Sequence, residues 1–465
     1  MAEAIIVIPP FVKVVCGPFL GPAMLVAAAR AAGHTATVVD LNTQYIAARL
    51  NLAAFPPGPF VGDFDKPEEL RGVQASFAAD IARLLPASDG IPGTDSALAL
   101  TYGHEDIRVA AERLVAEPGV GTMIETALQR AATNPSVVGV SVLYSGQVVW
   151  AVAVGIVARR LWPETVIVWG GPHVTALRRG MAADAAFSFA ADRFVFGHAE
   201  RTFVAILDAI DRRASMPTAA VAAGSGSSVL ADEDAGIVPV FDGQRSAWLR
   251  YTLPAQTSRG CVYGRCSFCT YPSTEGAARL SPDAHVLGVI GLAMESNAAM
   301  VLKDSLVTPA RLRHVAGLIG GRVQWGALTK IHSALDADLA RRLASAGCVT
   351  LEVGLETLSP AGQALFHKQQ SPELFRRTLG NLADAGIAVI VNYMTGLPGV
   401  EAEDEAKWLH WVGGSAAEVG ALARVEHNTF QLERMAPMGL KPEQYGIRVT
   451  RSWPWASVMA WDVRR

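Results

Sequence analysis

Cysteine is scarce in this chain: five residues among 465, an odd number, too few and too uneven for a disulfide framework. Charge of one sign is lacking as well, since 40 Lys and Arg face 43 Asp and Glu for a net −3, and no basic stripe is interleaved with aromatics. Nucleic acid is therefore not an expected partner. Although 51% of the residues are hydrophobic, no run of eighteen apolar residues occurs, so no membrane-spanning helix is expected. The first residues show no basic segment followed by an apolar core and a cleavage site. The expectation is a cytoplasmic protein with no membrane partner, acting on a small molecule or peptide.

What cysteine there is lies concentrated. Thr257-Ser-Arg-Gly-Cys261-Val-Tyr-Gly-Arg-Cys266-Ser-Phe-Cys269 holds three of the five within nine residues. Soft thiolates at such spacing hold zinc or an iron–sulfur cluster, and three ligands leave one coordination position open for a further group. A structural zinc site needs a fourth protein ligand, and apart from the isolated His285 none follows within the next sixty residues. Cys16 and Cys348 sit in apolar runs and read as small buried hydrophobes.

A chain of this length exceeds what one core supports, so two domains are expected. Over 1–214, apolar runs alternate with helical segments: Ile5–Ile8, a helix near 23–32, Thr35–Asp40, Val137–Val142, a helix near 149–161, and Thr165–Gly171. Strands buried on both faces read this way in a doubly wound, Rossmann-like α/β domain. A Pro- and Gly-rich insertion occupies about 53–101, and the small, polar stretch 215–243 reads as a linker. Within 244–435, hydroxyl-Pro pairs announce helix starts at Ser281-Pro282, Thr308-Pro309, Ser359-Pro360 and Ser371-Pro372. The strand-like runs between them predict a partial (β/α)6 barrel of the TIM type. Function is then expected at strand C-termini: the cysteine loop, Lys303-Asp304, Glu356, and Asn392 with Gly396–Gly399. An aromatic-rich tail fills 436–465.

Ser258-Arg-Gly-Cys261, Ser267-Phe-Cys269, Val353-Gly-Leu-Glu-Thr-Leu-Ser359 and Met394-Thr-Gly-Leu-Pro-Gly399 together resemble the radical S-adenosylmethionine superfamily. In the first half, Pro9-Pro10, the Gly33-His34 turn into Asp40, Gly170-Gly-Pro-His173 and Phe196-Gly-His-Ala-Glu-Arg-Thr-Phe203 resemble its cobalamin-binding subgroup. Two departures stand out. Four residues separate Cys261 from Cys266 where the family has three, which predicts a bulge at Gly264. At 197–200 the chain reads Gly-His-Ala-Glu, where the subgroup more often has an acidic residue after the glycine.

The resemblance implies a 4Fe–4S cluster on Cys261, Cys266 and Cys269, with S-adenosylmethionine on the open iron and an external flavodoxin- or ferredoxin-type reductant. It places Phe268 against the adenine, and Glu356, Asn392, Lys303 and Asp304 near S-adenosylmethionine. It puts a base-off cobalamin over the first domain, near Ser141, Tyr144, Ser145, Gly170, Gly171, His173, Gly197 and Glu200. The Asp-x-His-x-x-Gly pattern that supplies a lower histidine ligand is absent, so His173 does not take that role. The implied reaction is methylation of an unactivated carbon by a 5′-deoxyadenosyl radical and methylcobalamin. A rearrangement, ring contraction or cyclisation without methyl transfer is the alternative, and a non-catalytic corrinoid and iron–sulfur sensor a third.

Overall fold

The computed structural model describes residues 1–10, 17–50, 104–222, 230–232, 236–241, 252–453 and 455–463. Cys16 and the expected insertion at 53–101 lie outside the described residues. Those described fall into two compact units, one running up to residue 249 and including 451–459, the other comprising 250–450 and 460–463.

The first unit is a doubly wound α/β domain. Its strands are β1 (Glu3–Ile8), β2 (Thr35–Asp40), β3 (Val137–Ser141), β4 (Val166–Gly170), β5 (Arg193–Phe194), β6 (Phe196–His198) and β7 (Val221–Ala222). The main sheet has the order β2-β1-β3-β4-β5-β7, parallel except at β5-β7. Ile5, Ile6, Val7 and Ile8 are at most 1% exposed, because helices cover both faces of β1. The order reverses direction between β1 and β3, which opens the crevice where such sheets bind ligands. The stretch expected as a linker instead contributes structure: Val221 pairs with Phe194 of β5, and β8 (Leu230–Asp232) runs parallel to β6. Its polar composition hid these short edge strands, of which Val221 is buried at 2% exposure.

The second unit is a six-stranded parallel half-barrel. After β9 (Thr252–Ala255), a two-residue ladder of β10 (Ser258–Arg259) and β11 (Arg279–Leu280) closes the base of the cysteine loop. Then come β12 (Ala299–Leu302), β13 (Trp325–Lys330), β14 (Cys348–Glu356), β15 (Ala388–Thr395) and β16 (Ala423–Thr429), in the order β16-β15-β14-β13-β12-β9. Three hydroxyl-Pro signals work as expected: Thr308, Ser359 and Ser371 accept from the amides of Arg311, Gly362 and Leu374. The fourth does not. Helix Asp283–Glu295 starts after Pro282, and Ser281 serves the loop base instead, its amide donating to the Thr257 carbonyl. Residues 437–450 of the expected tail belong to this unit, while 451–459 belong to the first.

One contact in the first unit tests its packing directly. In helix Val148–Leu161, a Cβ added at Gly155 would lie 2.6 Å from the Ala190 carbonyl oxygen. Gly155→Val should lower the stability of this unit by about 1–3 kcal/mol through overpacking, read as an earlier chemical unfolding transition.

Candidate functional site

The half-barrel brings the cysteine loop to the C-terminal end of β9. Asp304, just past β12 and 4% exposed, anchors its root: one carboxylate oxygen accepts from the Thr257 amide at 2.7 Å, the other from Thr257 Oγ1 at 2.6 Å and Ser258 Oγ at 2.8 Å. Burial pushes the Asp304 carboxyl up, and these donors pull it back. Arg311 braces the same root, donating to the carbonyls of Thr257 at 2.9 Å and Ser281 at 3.2 Å. Glu275 accepts from the Gly260 amide at 3.1 Å and from the Ser305 hydroxyl. Further along, Ser267 donates to the Leu365 carbonyl at 2.6 Å and accepts on its own carbonyl from the Met438 amide at 2.9 Å.

The three thiols of the loop are partly buried. Burial pushes Cys269 up to about 12 and raises Cys266, which the Lys368 ammonium opposes. A metal must displace these protons to bind, so uptake releases protons. The donor set of three soft thiolates suits iron–sulfur chemistry. Among the described residues, no three His, Cys, Asp or Glu side chains converge on a point that one ion would occupy.

Glu356 ends β14 with φ 65°, a left-handed conformation costly for a residue other than glycine. Lys368, 8% exposed, holds it there by donating to Glu356 Oε1 at 2.8 Å and to the Gly354 carbonyl at 3.3 Å. The same ammonium stands 5.9 Å from the Phe268 ring centroid, and Phe268 packs at 4.5 Å on the buried Phe366. Glu356 and Phe268 thus share one corner beside the cysteines. The other expected contacts are arranged differently. Asp304 spends its carboxylate on the loop root. Lys303 is exposed. Asn392 lies inside β15, its amide donating to Glu352 Oε1 at 2.6 Å.

In the first unit, Ser141 and Gly170 are register partners at the ends of β3 and β4. Gly171 turns the corner with φ 103°, and a Cβ there would lie 2.5 Å from the Val142 carbonyl oxygen. Tyr144 is 49% exposed, while Ser145 is half-buried. Gly197 donates its amide to Thr175 Oγ1 at 2.9 Å. Hydroxyls and a side-chain-poor corner fit an amide-bearing corrinoid. His173 and Glu200 are only 3% and 4% exposed. The imidazole is a strut, with Nε2 at 2.9 Å from the Trp455 carbonyl oxygen and Nδ1 at 3.4 Å from Ser145 Oγ.

Sequence reasoning missed Gln147, fully buried, whose amide donates to the Pro9 carbonyl at 2.7 Å and accepts from the Leu143 amide at 2.6 Å. It ties the loops after β1 and β3 together at the switch point. Glu275, Arg311 and Lys368 were missed too; each lies 12 or more positions from what it holds, and no spacing signals it.

Two measurements follow. Asp304→Ala should cost the second unit about 1–3 kcal/mol by leaving buried donors unpaired, and should lower the iron retained after reconstitution. Burial lowers His173 to about 4 from the ordinary histidine value. Between those values an unfolded chain binds a proton that the folded one refuses, so stability is full above about pH 6.5 and falls as the pH drops toward 4. The wild type should lose up to ~3 kcal/mol more over that window than His173→Asn, measured by denaturant titration at each pH.

With this geometry in place, comparison with known proteins is informative. Residues 327–412 match the model of the radical SAM superfamily. No curated protein matches the sequence. The chain is similar to the solved structure of the radical S-adenosylmethionine methyltransferase TsrM from Kitasatospora setae with cobalamin and a 4Fe–4S cluster bound, at 16% identity and a TM-score of 0.62, over 97% of this chain and 81% of that one. It is also similar to the cobalamin-dependent S-adenosylmethionine radical enzyme OxsB with aqua-cobalamin bound, at 10% identity and a TM-score of 0.61, over 99% of this chain but only 64% of that one. The chain therefore carries a radical SAM superfamily domain and has the fold of the cobalamin-dependent radical S-adenosylmethionine enzymes.

Proposed function

We propose that this chain is a cobalamin-dependent radical S-adenosylmethionine methyltransferase that methylates an unactivated carbon of a small-molecule or peptide substrate. The observation that carries this reading is the three-cysteine loop at the C-terminal end of β9, rooted on buried Asp304, in a chain that also has a doubly wound domain of the kind found in TsrM. When bound, the cluster, two S-adenosylmethionines, a corrinoid and two external electrons supply a hydrogen-abstracting 5′-deoxyadenosyl radical and a transferable methyl group.

The chain's own residues bind and orient. Cys261, Cys266 and Cys269 each take one iron, and Asp304, Arg311 and Glu275 fix where they stand. Glu356 offers a carboxylate to the ribose hydroxyls or the methionine ammonium, with Lys368 holding its backbone and side chain in place. Phe268, backed by Phe366, presents an apolar face to the adenine. Asn392, inside β15, ties that strand to β14 through its bond to Glu352. Ser141, Tyr144, Ser145 and the Gly170-Gly171 corner receive the corrinoid, and Gly197 borders it. The imidazole of His173 is engaged at both nitrogens, so this chain does not offer it to cobalt.

The likeness to OxsB, described as a radical enzyme rather than a methyltransferase, favours a second reading in which the substrate radical rearranges without receiving a methyl group. Anaerobic reconstitution with iron, sulfide and hydroxocobalamin tests both. We expect near one corrinoid and four irons per chain, and 5′-deoxyadenosine formed in reducing buffer with S-adenosylmethionine. The triple variant Cys261→Ala, Cys266→Ala, Cys269→Ala should form none. Methyl transfer from labelled S-adenosylmethionine to product separates the two readings, and a chain that binds corrinoid but never forms 5′-deoxyadenosine is no radical enzyme.

A further inference from the structure

The cysteine loop has one residue more than the family spacing, and the fold shows where it goes. Gly264 takes φ 57°, and a Cβ there would lie 3.3 Å from the Cys261 carbonyl oxygen. The enlarged turn is then fastened from outside. The Tyr263 hydroxyl donates to the His367 carbonyl, and His367 Nδ1 lies 3.3 Å from the Arg265 carbonyl oxygen. His367 is the left-handed cap, φ 55°, of helix Pro360–Phe366. From the end of β13, Lys330 places its ammonium 3.9 Å from the centroid of the Tyr263 ring.

An aromatic face attracts a cation without cancelling its charge, as a carboxylate would. Among the described residues Lys330 makes no ion pair with an acid, and the charges acting on it are those of Lys368, Cys266 and Cys261. Both ammonium groups act on the Cys266 sulfur. We propose that Tyr263 and Lys330 form a clasp over the iron–sulfur site, in which Tyr263 fastens the enlarged turn to helix Pro360–Phe366 and Lys330 presents an uncancelled positive charge that eases reduction of the cluster. The physics is direct: reduction adds one electron, and a nearby partly buried cation stabilises the more negative state, which raises the potential. Both residues are positioning residues, and the inference rests on the cluster reading above.

The test uses the full chain, reconstituted anaerobically. Iron and sulfide are counted first; a wild type that takes up none overturns the cluster reading itself and the clasp with it. Given a loaded wild type, the midpoint of the cluster is read by a redox titration followed by electron paramagnetic resonance, and its loss to a chelator is timed. Lys330→Met should shift the midpoint to more negative potentials, while Lys330→Arg restores it. Tyr263→Phe keeps the ring but loses the bond to His367, so it should keep the midpoint and lose iron several-fold faster. Tyr263→Leu should show both defects. An unchanged midpoint in Lys330→Met, or a wild-type rate of iron loss in Tyr263→Leu, overturns the proposal.

Discussion

A buried carboxylate fixes the cysteine loop. Asp304 stands at the end of β12 with both oxygens turned away from water and toward the chain just beyond β9. Burying a charged group is tolerable only when hydrogen bonds replace its hydration, and here two hydroxyls and an amide do so, with the Arg311 guanidinium adding an opposite charge. The β10-β11 ladder continues from this root, so the direction in which the chain enters Cys261 is set before the loop begins. Glu275 then grips the Gly260 amide from the far side of the same loop. A loop rooted in buried polar bonds to two neighbouring strands can present three thiols in fixed order without a fourth protein ligand.

Above that root, charges are arranged so that burial does not leave them isolated. The thiols of Cys266 and Cys269 are raised by desolvation, which Lys368 and Lys330 oppose at Cys266 and a backbone hydrogen bond at Tyr271 opposes at Cys269. Lys368 serves twice, neutralising Glu356 and holding the Gly354 carbonyl, and so sustains a left-handed Glu356 that its own backbone preference would reject. Strain of this kind persists where surrounding bonds over-determine it. The corner made by Glu356, Lys368 and Phe268 is thus held from several directions at once.

The first unit uses neutral groups for the same purpose. Gln147 joins the loops after β1 and β3 through an uncharged amide, and His173 bridges Ser145 and the Trp455 carbonyl as an imidazole kept neutral by burial. A neutral strut costs less to bury than a charged one.

Much of the architecture was legible in the residues themselves. Apolar runs such as Ile5–Ile8 and Val389–Val391 can only be strands covered on both faces, and Thr308-Pro309 or Ser371-Pro372 carry a cap and a preset φ in adjacent positions. The density of the three cysteines pointed to zinc or an iron–sulfur cluster, and Gly264 was readable as the place where an extra residue would turn. These are local properties: propensity, periodicity and spacing act between residues near in sequence. What the sequence could not reveal is what holds the site. Asp304 holds the root of the loop and His173 bridges Ser145 and the Trp455 carbonyl, pairings that no local pattern signals, and the 221–222 and 230–232 strands were hidden in a polar stretch. The Asp304 to Thr257, Lys368 to Glu356 and Lys330 to Tyr263 pairings join residues 47, 12 and 67 positions apart. Sequence determined the elements and the donor atoms; only tertiary structure decided their partners, because a hydrogen bond or an ion pair depends on distances that exist only after the strands have packed.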